Sequence, residues 1–218
     1  MSKTVVMFCG SAGSGKDTSF NFIKKHIEKT NESIVINHFS FGRVLKEIVV
    51  DICKLFLNEN YSLEEMDNYN YKEKVRTEHT VYSLDNQNGD PLVLRKLLQI
   101  IGTDILRKQL GDDIFAKTIL NKIQVEFNTV FGEQIVFITD LRFPNEQKCI
   151  EDYCKNSGYK CITIYIRRTV SLSDTYLHIS EKQYDQLKKD IIIENCGSLI
   201  DLELECINAI QNVLCVDK

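Results

Sequence analysis

The sequence predicts an α/β fold: a doubly wound, mostly parallel five-stranded sheet flanked by helices, with a lid and one inserted, substrate-covering segment. Three observations lead there. Apolar runs of strand length alternate along the chain with stretches of helical apolar spacing. Several of those runs are apolar at consecutive positions, as strands covered on both faces require. The first run leads directly into a glycine loop and then a helical pattern, Gly10-Ser11-Ala12-Gly13-Ser14-Gly15-Lys16-Asp17-Thr18.

Thr4 to Cys9 is the first buried strand, and Thr18 to Ile23 opens the helix behind the loop. Ser33 to Phe39 reads as a short strand and Val44 to Phe56 as a helix. Asn58 to Asp90 is rich in Tyr, Asn, Glu and Lys and has little apolar periodicity. An exposed excursion with one short helix around Leu63 to Asn68 is expected there, as a substrate cover or a plain solvated loop. Pro91 is expected to open a long helix through Leu94, Leu97, Leu98, Ile101, Ile105 and Leu106, and Asp112-Asp113 another through Ile123. Gln134 to Thr139, Lys160 to Ile166 and Ile191 to Ile193 supply the remaining strands, with helices at Glu146 to Asn156 and Leu199 to Leu214. A chain of 218 residues that is 43% hydrophobic can bury one substantial core, and no repeat or Ser/Gly linker interrupts it. A single domain over 1–218 is expected, with 58–90 as an insertion and 167–181 as the lid.

A net charge of −4 argues against a protein that coats nucleic acid and leaves a small anionic ligand as the natural partner. The eight cysteines form no Cys-x-x-Cys pair and fall mostly in apolar runs, so reduced, buried thiols are expected. No apolar stretch reaches membrane-spanning length, and the phosphate loop stands where a secretion signal would begin, so an intracellular, cytoplasmic protein without membrane contact is expected.

The loop carries the most specific chemistry. Its glycines let successive N–H groups, those of Gly13, Ser14 and Gly15 among them, turn toward a polyphosphate, and the helix N-terminus adds partial positive charge. Lys16 bridges the outer phosphates. Asp17 stands where the usual pattern has the Ser or Thr that ligates magnesium, and a carboxylate there serves as a harder ligand, directly or through water.

Further candidates follow the later strands. Asp140 and Arg142, in Thr139-Asp140-Leu141-Arg142, suit a magnesium contact and a bidentate phosphate contact, with local structural pairing or helix capping as the alternative. Arg167-Arg168 leads into a polar stretch able to close over a transferring phosphoryl group, or else marks a solvated strand end. Arg95, Gln99, Thr103 and Arg107 recur every four residues, as a second anion site or a wet helix face.

Taken together, GSAGSGKDT, RKLLQIIGTDILRKQ, VFITDLRFPNE, DTYLHISE and IIIENCGSLIDLE resemble the phage-type deoxynucleoside monophosphate kinases, in order and spacing across most of the chain. The resemblance implies the P-loop kinase fold and transfer of the γ-phosphoryl group of ATP to a deoxynucleoside 5′-monophosphate. It also implies Mg²⁺, a homodimer, and compatibility with a viral origin. Carried over by position, Gly15, Asp17, Thr18 and Ser19 fall among ATP contacts, with Lys16 as the loop lysine, and Asn195 and Gly197 form a turn near adenine. Arg95, Gly102, Thr103 and Phe115 fall on the acceptor site, and Arg142 and Arg167 match arginines near the phosphates. Some relatives carry basic residues where this chain has Ala12 and Gly13, so acceptor phosphate binding leans on Arg43, Lys46 and Arg95, with Lys72, Lys74 or Arg76 contributing. Gly-Lys-Asp-Thr also occurs in animal-type phosphomevalonate kinases. A kinase for phosphomevalonate or dephospho-coenzyme A is therefore the first alternative, and a nucleotide-dependent switch the second, although no guanine-specifying Asn-Lys-x-Asp segment is present.

Overall fold

In the computed structural model, which describes residues 2–68, 71, 76–83, 86–168 and 184–215, helices alternate with strands along most of the chain. In chain order come β1 (Lys3–Cys9), α1 (Lys16–Thr30), β2 (Val35–Phe39), α2 (Phe41–Ile52) with a π-helical extension Cys53–Leu57, and α3 (Leu63–Asp67). Next are β3 (Arg76–Ser83), β4 (Asn86–Val93) and α4 (Leu94–Gln99), which widens into a π-helix over Ile100–Arg107 and closes with Lys108–Leu110. Then follow α5 (Ile114–Thr129), β5 (Gln134–Ile138), α6 (Pro144–Ser157), β6 (Lys160–Arg167), β7 (Ile191–Glu194) and α7 (Leu199–Cys215). The chain divides into two compact units: residues 1–41 with 116–218, and residues 42–115.

The first unit is built on one five-stranded, wholly parallel sheet of order β2-β5-β1-β6-β7, in agreement with the five strands expected. β1 lies in its centre because nothing along Val5-Val6-Met7-Phe8-Cys9 needs water, and all five side chains are fully buried. Alternation sends Val6 and Phe8 into a core shared with Phe20, Ile23 and Ile27 of α1 and with Leu202, Cys206, Ile210 and Val213 of α7. Val5, Met7 and Cys9 turn to the opposite face and are buried as completely, so the sheet is covered on both sides. An aromatic cluster sits in the first of these layers: the Phe137 ring lies 5.3 Å from Phe20 and 6.1 Å from Phe8.

A parallel strand in mid-sheet delivers its carboxyl end to an open crevice, and β1 delivers the loop there. Gly10 makes the exit: at φ +143° a Cβ would stand 2.5 Å from the Ile166 carbonyl oxygen of the adjacent strand.

The second unit packs Val49 and Cys53 of α2 and its extension, Met66 of α3, and Leu94, Leu97 and Ile101 of the α4 segment into a separate core. A capping box starts α3, with Ser62 Oγ accepting from Glu65 N and the Glu65 carboxylate accepting from Ser62 N. Helix α3 matches the short helix expected near Leu63. The rest of the excursion does not match expectation, because β3 and β4 form an antiparallel hairpin. Pro91 does not open the following helix either. It pairs with Thr80 inside β4, tolerated because each strand of a two-stranded ribbon has a free edge, and α4 starts at Leu94.

Phe137→Ala should destabilise the protein by about 3–5 kcal/mol in chemical denaturation through loss of a buried aromatic. Phe131→Ala, at an 88% exposed ring, should change stability by less than about 0.5 kcal/mol.

Candidate functional site

Between the end of β1 and the start of α1 the chain turns through Gly13 at φ +72° and Gly15 at φ +102°, left-handed conformations that cost an L side chain strain. Gly15 serves as the N-cap of α1, and Asp17 lies in its first turn, where a carboxylate complements the helix dipole. Gly13, Gly15, Lys16, Asp17 and Thr18 line a cavity of about 380 Å³. Arg168 and, past β7, Asn195 and Gly197 line it from the carboxyl ends of β6 and β7, and Leu199 and Leu202 line it from the first turn of α7.

The Lys16 ammonium is folded back into its own loop, donating to the carbonyl oxygens of Gly10 and Ser11 at 2.8 Å each. Burial lowers its pKa, the Arg142 guanidinium lowers it further, and Asp17 and Asp140 pull the other way. Asp17, Asp140, Arg142 and Lys16 are thus brought into one electrostatic neighbourhood. Leu141 N–H donates to Phe8 O at 3.0 Å, which sets the residues following β5 beside the end of β1. Asp140 also closes the N-terminus of α2, its two carboxylate oxygens accepting from Ser40 Oγ and Phe41 N at 2.8 Å each. The capping role weighed for this residue is real, but it serves α2 rather than the helix that follows. Beneath the loop, burial pushes the Cys9 thiol up to about 12, which keeps it protonated at neutral pH.

Asn195 and Gly197 stand at the cavity. Asn195 Nδ2 donates to Ser14 O at 2.8 Å, and its backbone N–H donates to Arg167 O at 2.7 Å. At Gly197 a Cβ would stand 2.5 Å from the carboxylate of Asp201, which caps α7 through Ser198.

The two adjacent arginines part company. Arg167 lies opposite Glu194 in the β6–β7 register and donates to its carboxylate at 2.7 Å, away from the cavity lining. Arg168, one residue past the strand, donates to Gly13 O at 3.0 Å and lines the cavity. Of the expected lid over 167–181, only these two residues lie within the described set. Ser19 is fully buried beneath the loop, beside Cys206, and does not line the cavity. Ser14 is buried too, and its hydroxyl has no hydrogen-bond partner among the described residues. Leu199 and Leu202, which give the cavity its apolar wall, carried no sequence signal beyond helical spacing.

Of the residues expected at the acceptor site, Arg43, Lys46, Arg95, Gly102, Thr103 and Phe115 fall in the second unit and Arg142 in the first, while Lys72 and Lys74 lie outside the described residues. Arg43 pairs with Glu47 at 3.2 Å, and Lys46 pairs with Asp67. Arg95 is half-buried and Thr103 exposed. Gly102 is buried where its segment crosses α2, and a Cβ there would meet Leu45 Cδ2 at 2.6 Å. Phe115 is 3% exposed, with the Arg107 guanidinium 4.9 Å from its ring centre. The change to π-helix at Ile100 ends the four-residue stripe as a straight line, since Arg107 turns to Phe115 and to the Asp112 carbonyl.

Among the described residues no group of three or more His, Cys, Asp or Glu is placed to hold a metal ion. A magnesium ion asks for no such group, because it takes one or two carboxylates and fills its octahedron with water and ligand phosphates. Asp17, exposed at the cavity, and Asp140, half-buried beside Lys16, have the hard oxygen chemistry that fits it.

No curated protein matches the chain in sequence. Among solved structures it is similar to dephospho-CoA kinase from Campylobacter jejuni, at 16% identity over 97% of each chain with a TM-score of 0.48. It is also similar to APS kinase from Mycobacterium tuberculosis in complex with AMPPNP and APS, at 9% identity over 96% of this chain and 98% of that one, TM-score 0.44. Thymidylate kinase from Ehrlichia chaffeensis gives 13% identity over 97% and 99%, TM-score 0.38. The sequence model of deoxynucleotide monophosphate kinases matches residues 29–205, well over half the chain and wholly outside the phosphate loop. With that match joined to a parallel sheet bearing a Lys16 loop, the chain belongs to the deoxynucleotide monophosphate kinase family.

Proposed function

We propose that the chain transfers the γ-phosphoryl group of ATP to a deoxynucleoside 5′-monophosphate, giving ADP and the diphosphate. The observation that carries this is the Lys16 loop opening on a cavity with Arg168 and Asn195, in a chain whose residues 29–205 match this kinase family.

The acceptor phosphate oxygen attacks the γ-phosphorus in line as the bond to the β-phosphate oxygen breaks, with no covalent intermediate. A nucleoside monophosphate is already anionic at neutral pH, so no strong general base is required. Catalysis then rests on placing two nucleotides and neutralising their phosphates. In this reading Lys16 exchanges the Gly10 and Ser11 carbonyls for the β- and γ-phosphates, and the loop N–H groups and Arg168 bind phosphate oxygens. Leu199 and Leu202 offer apolar surface to the base. Asp17 and Asp140 would hold magnesium, which would supply charge neutralisation to the phosphates. Arg142 completes the cationic set beside Lys16, while Arg95 and Phe115 belong to the acceptor. The homodimer implied by the resemblance and the cytoplasmic location expected from the sequence belong to the same proposal; among the described residues no helix is long and apolar enough to cross a membrane.

A panel of deoxynucleoside and ribonucleoside monophosphates, phosphomevalonate and dephospho-coenzyme A, each with ATP and Mg²⁺, tests the assignment. Turnover of at least one deoxynucleotide is expected; turnover confined to either of the last two acceptors would refute it. Lys16→Ala should lower kcat/KM by about a thousandfold while leaving the thermal melt intact. Arg95→Ala should raise the KM for the monophosphate and spare that for ATP, and the reverse pattern would displace the acceptor site. The charged Lys16 is the active form and its pKa is lowered, so kcat/KM for ATP should be lost as pH rises and fall below pH 10.5, the ordinary lysine value. An alkaline limb at or above that value would contradict the role given to its charge.

A further inference from the structure

The phosphate loop is held from outside at two successive carbonyls. Arg168 Nη1 donates to Gly13 O at 3.0 Å, and Asn195 Nδ2 donates to Ser14 O at 2.8 Å. In a trans peptide the C=O of one residue and the N–H of the next point in opposite directions. Asn195, by fixing the Ser14 carbonyl, therefore fixes the direction of the Gly15 N–H, turning it away from Asn195. No acceptor among the described residues takes that N–H. It is a donor held ready at the foot of α1, beside Lys16.

Asn195 is suited to act as a brace because it is itself fixed. Its backbone N–H donates to Arg167 O at 2.7 Å, immediately beyond the last β6–β7 pair, so the side chain extends from the sheet. Its fit to the loop is close: a Cβ on Gly15 would stand 2.7 Å from Asn195 Nδ2. Ser14 O can only accept, so the amide must present its NH₂ end. One N–H of the amide is thereby committed to the loop and not to a base edge.

We propose that Asn195 is a positioning residue that acts on the triphosphate through the Ser14–Gly15 peptide, and not by contacting adenine. This rests on the reading of the loop as the ATP phosphate site. Arg168 is the second brace, but its charge also meets phosphate directly, so Asn195 is the residue whose effect can be separated.

The separating ligand is inorganic tripolyphosphate, which has no base. Calorimetric titration of the full chain with ATP, GTP and tripolyphosphate would compare the wild type with Asn195→Ala and Asn195→Asp. The aspartate keeps the size of asparagine but turns an acceptor toward Ser14 O. The expected result is a Kd raised by the same factor, about tenfold, for all three ligands in the alanine variant, and at least as much in the aspartate variant, with melting temperatures near wild type. A loss confined to ATP, with tripolyphosphate binding unchanged, would assign Asn195 to the base and overturn the proposal. Unchanged binding of all three would overturn it as well. A wild-type chain that binds neither ATP nor tripolyphosphate would instead overturn the reading of the loop, and the brace with it.

Discussion

A lysine ammonium enclosed by its own loop is the constraint on which the rest of the site depends. Withdrawing that charge from water is costly unless its donors find oxygens, and two of the three N–H donors of Lys16 meet the main-chain carbonyls of Gly10 and Ser11. In the proposed function a triphosphate would offer acceptors at the same place, and binding would exchange one set of oxygens for another while the loop stays intact. The exchange works only if the loop keeps its shape, and its shape is imposed from outside. β1 brings it to the centre of the sheet, Gly10 lets it leave past Ile166, and Arg168 and Asn195 hold its outer carbonyls.

Much of this was legible in the residues. An uninterrupted apolar strand, a glycine loop and a helical pattern follow one another with no competing reading, and the strands after them are similarly explicit. The hairpin β3–β4 was hidden because its residues alternate poorly and include Asn, Gly, Asp and Pro, which ordinarily signal a loop. Backbone pairing within a two-stranded ribbon leaves little trace in side-chain pattern. Pro91 misled for a related reason, since proline is as much at home on a free strand edge as at a helix start.

At the site, spacing located the right segments but not the division of labour within them. Arg167 and Arg168 are indistinguishable as letters. What separates them is register: Arg167 is the last paired residue of β6 and meets Glu194 across the ladder, whereas Arg168 is the first residue free to turn toward the loop. The resemblance places Asn195 in a turn near adenine, and its link to the Ser14 carbonyl depends on where two distant strands end. The partition is informative in another way. Residues expected to bind ATP lie in the first unit, and those expected to bind the acceptor lie in the second except for Arg142, each unit having its own core. The family match covers residues 29–205, so the phosphate loop and the match are separate lines leading to one chemistry.

The central claim is that phosphoryl transfer between two nucleotides, and not hydrolysis, is the reaction this site performs. Phosphorus-31 NMR of the full chain with ATP, Mg²⁺ and an accepted deoxynucleoside monophosphate follows every product at once. The account predicts that ADP and the deoxynucleoside diphosphate appear in equal amounts with no accompanying inorganic phosphate. Accumulation of ADP and inorganic phosphate at the same rate with and without the monophosphate would contradict it.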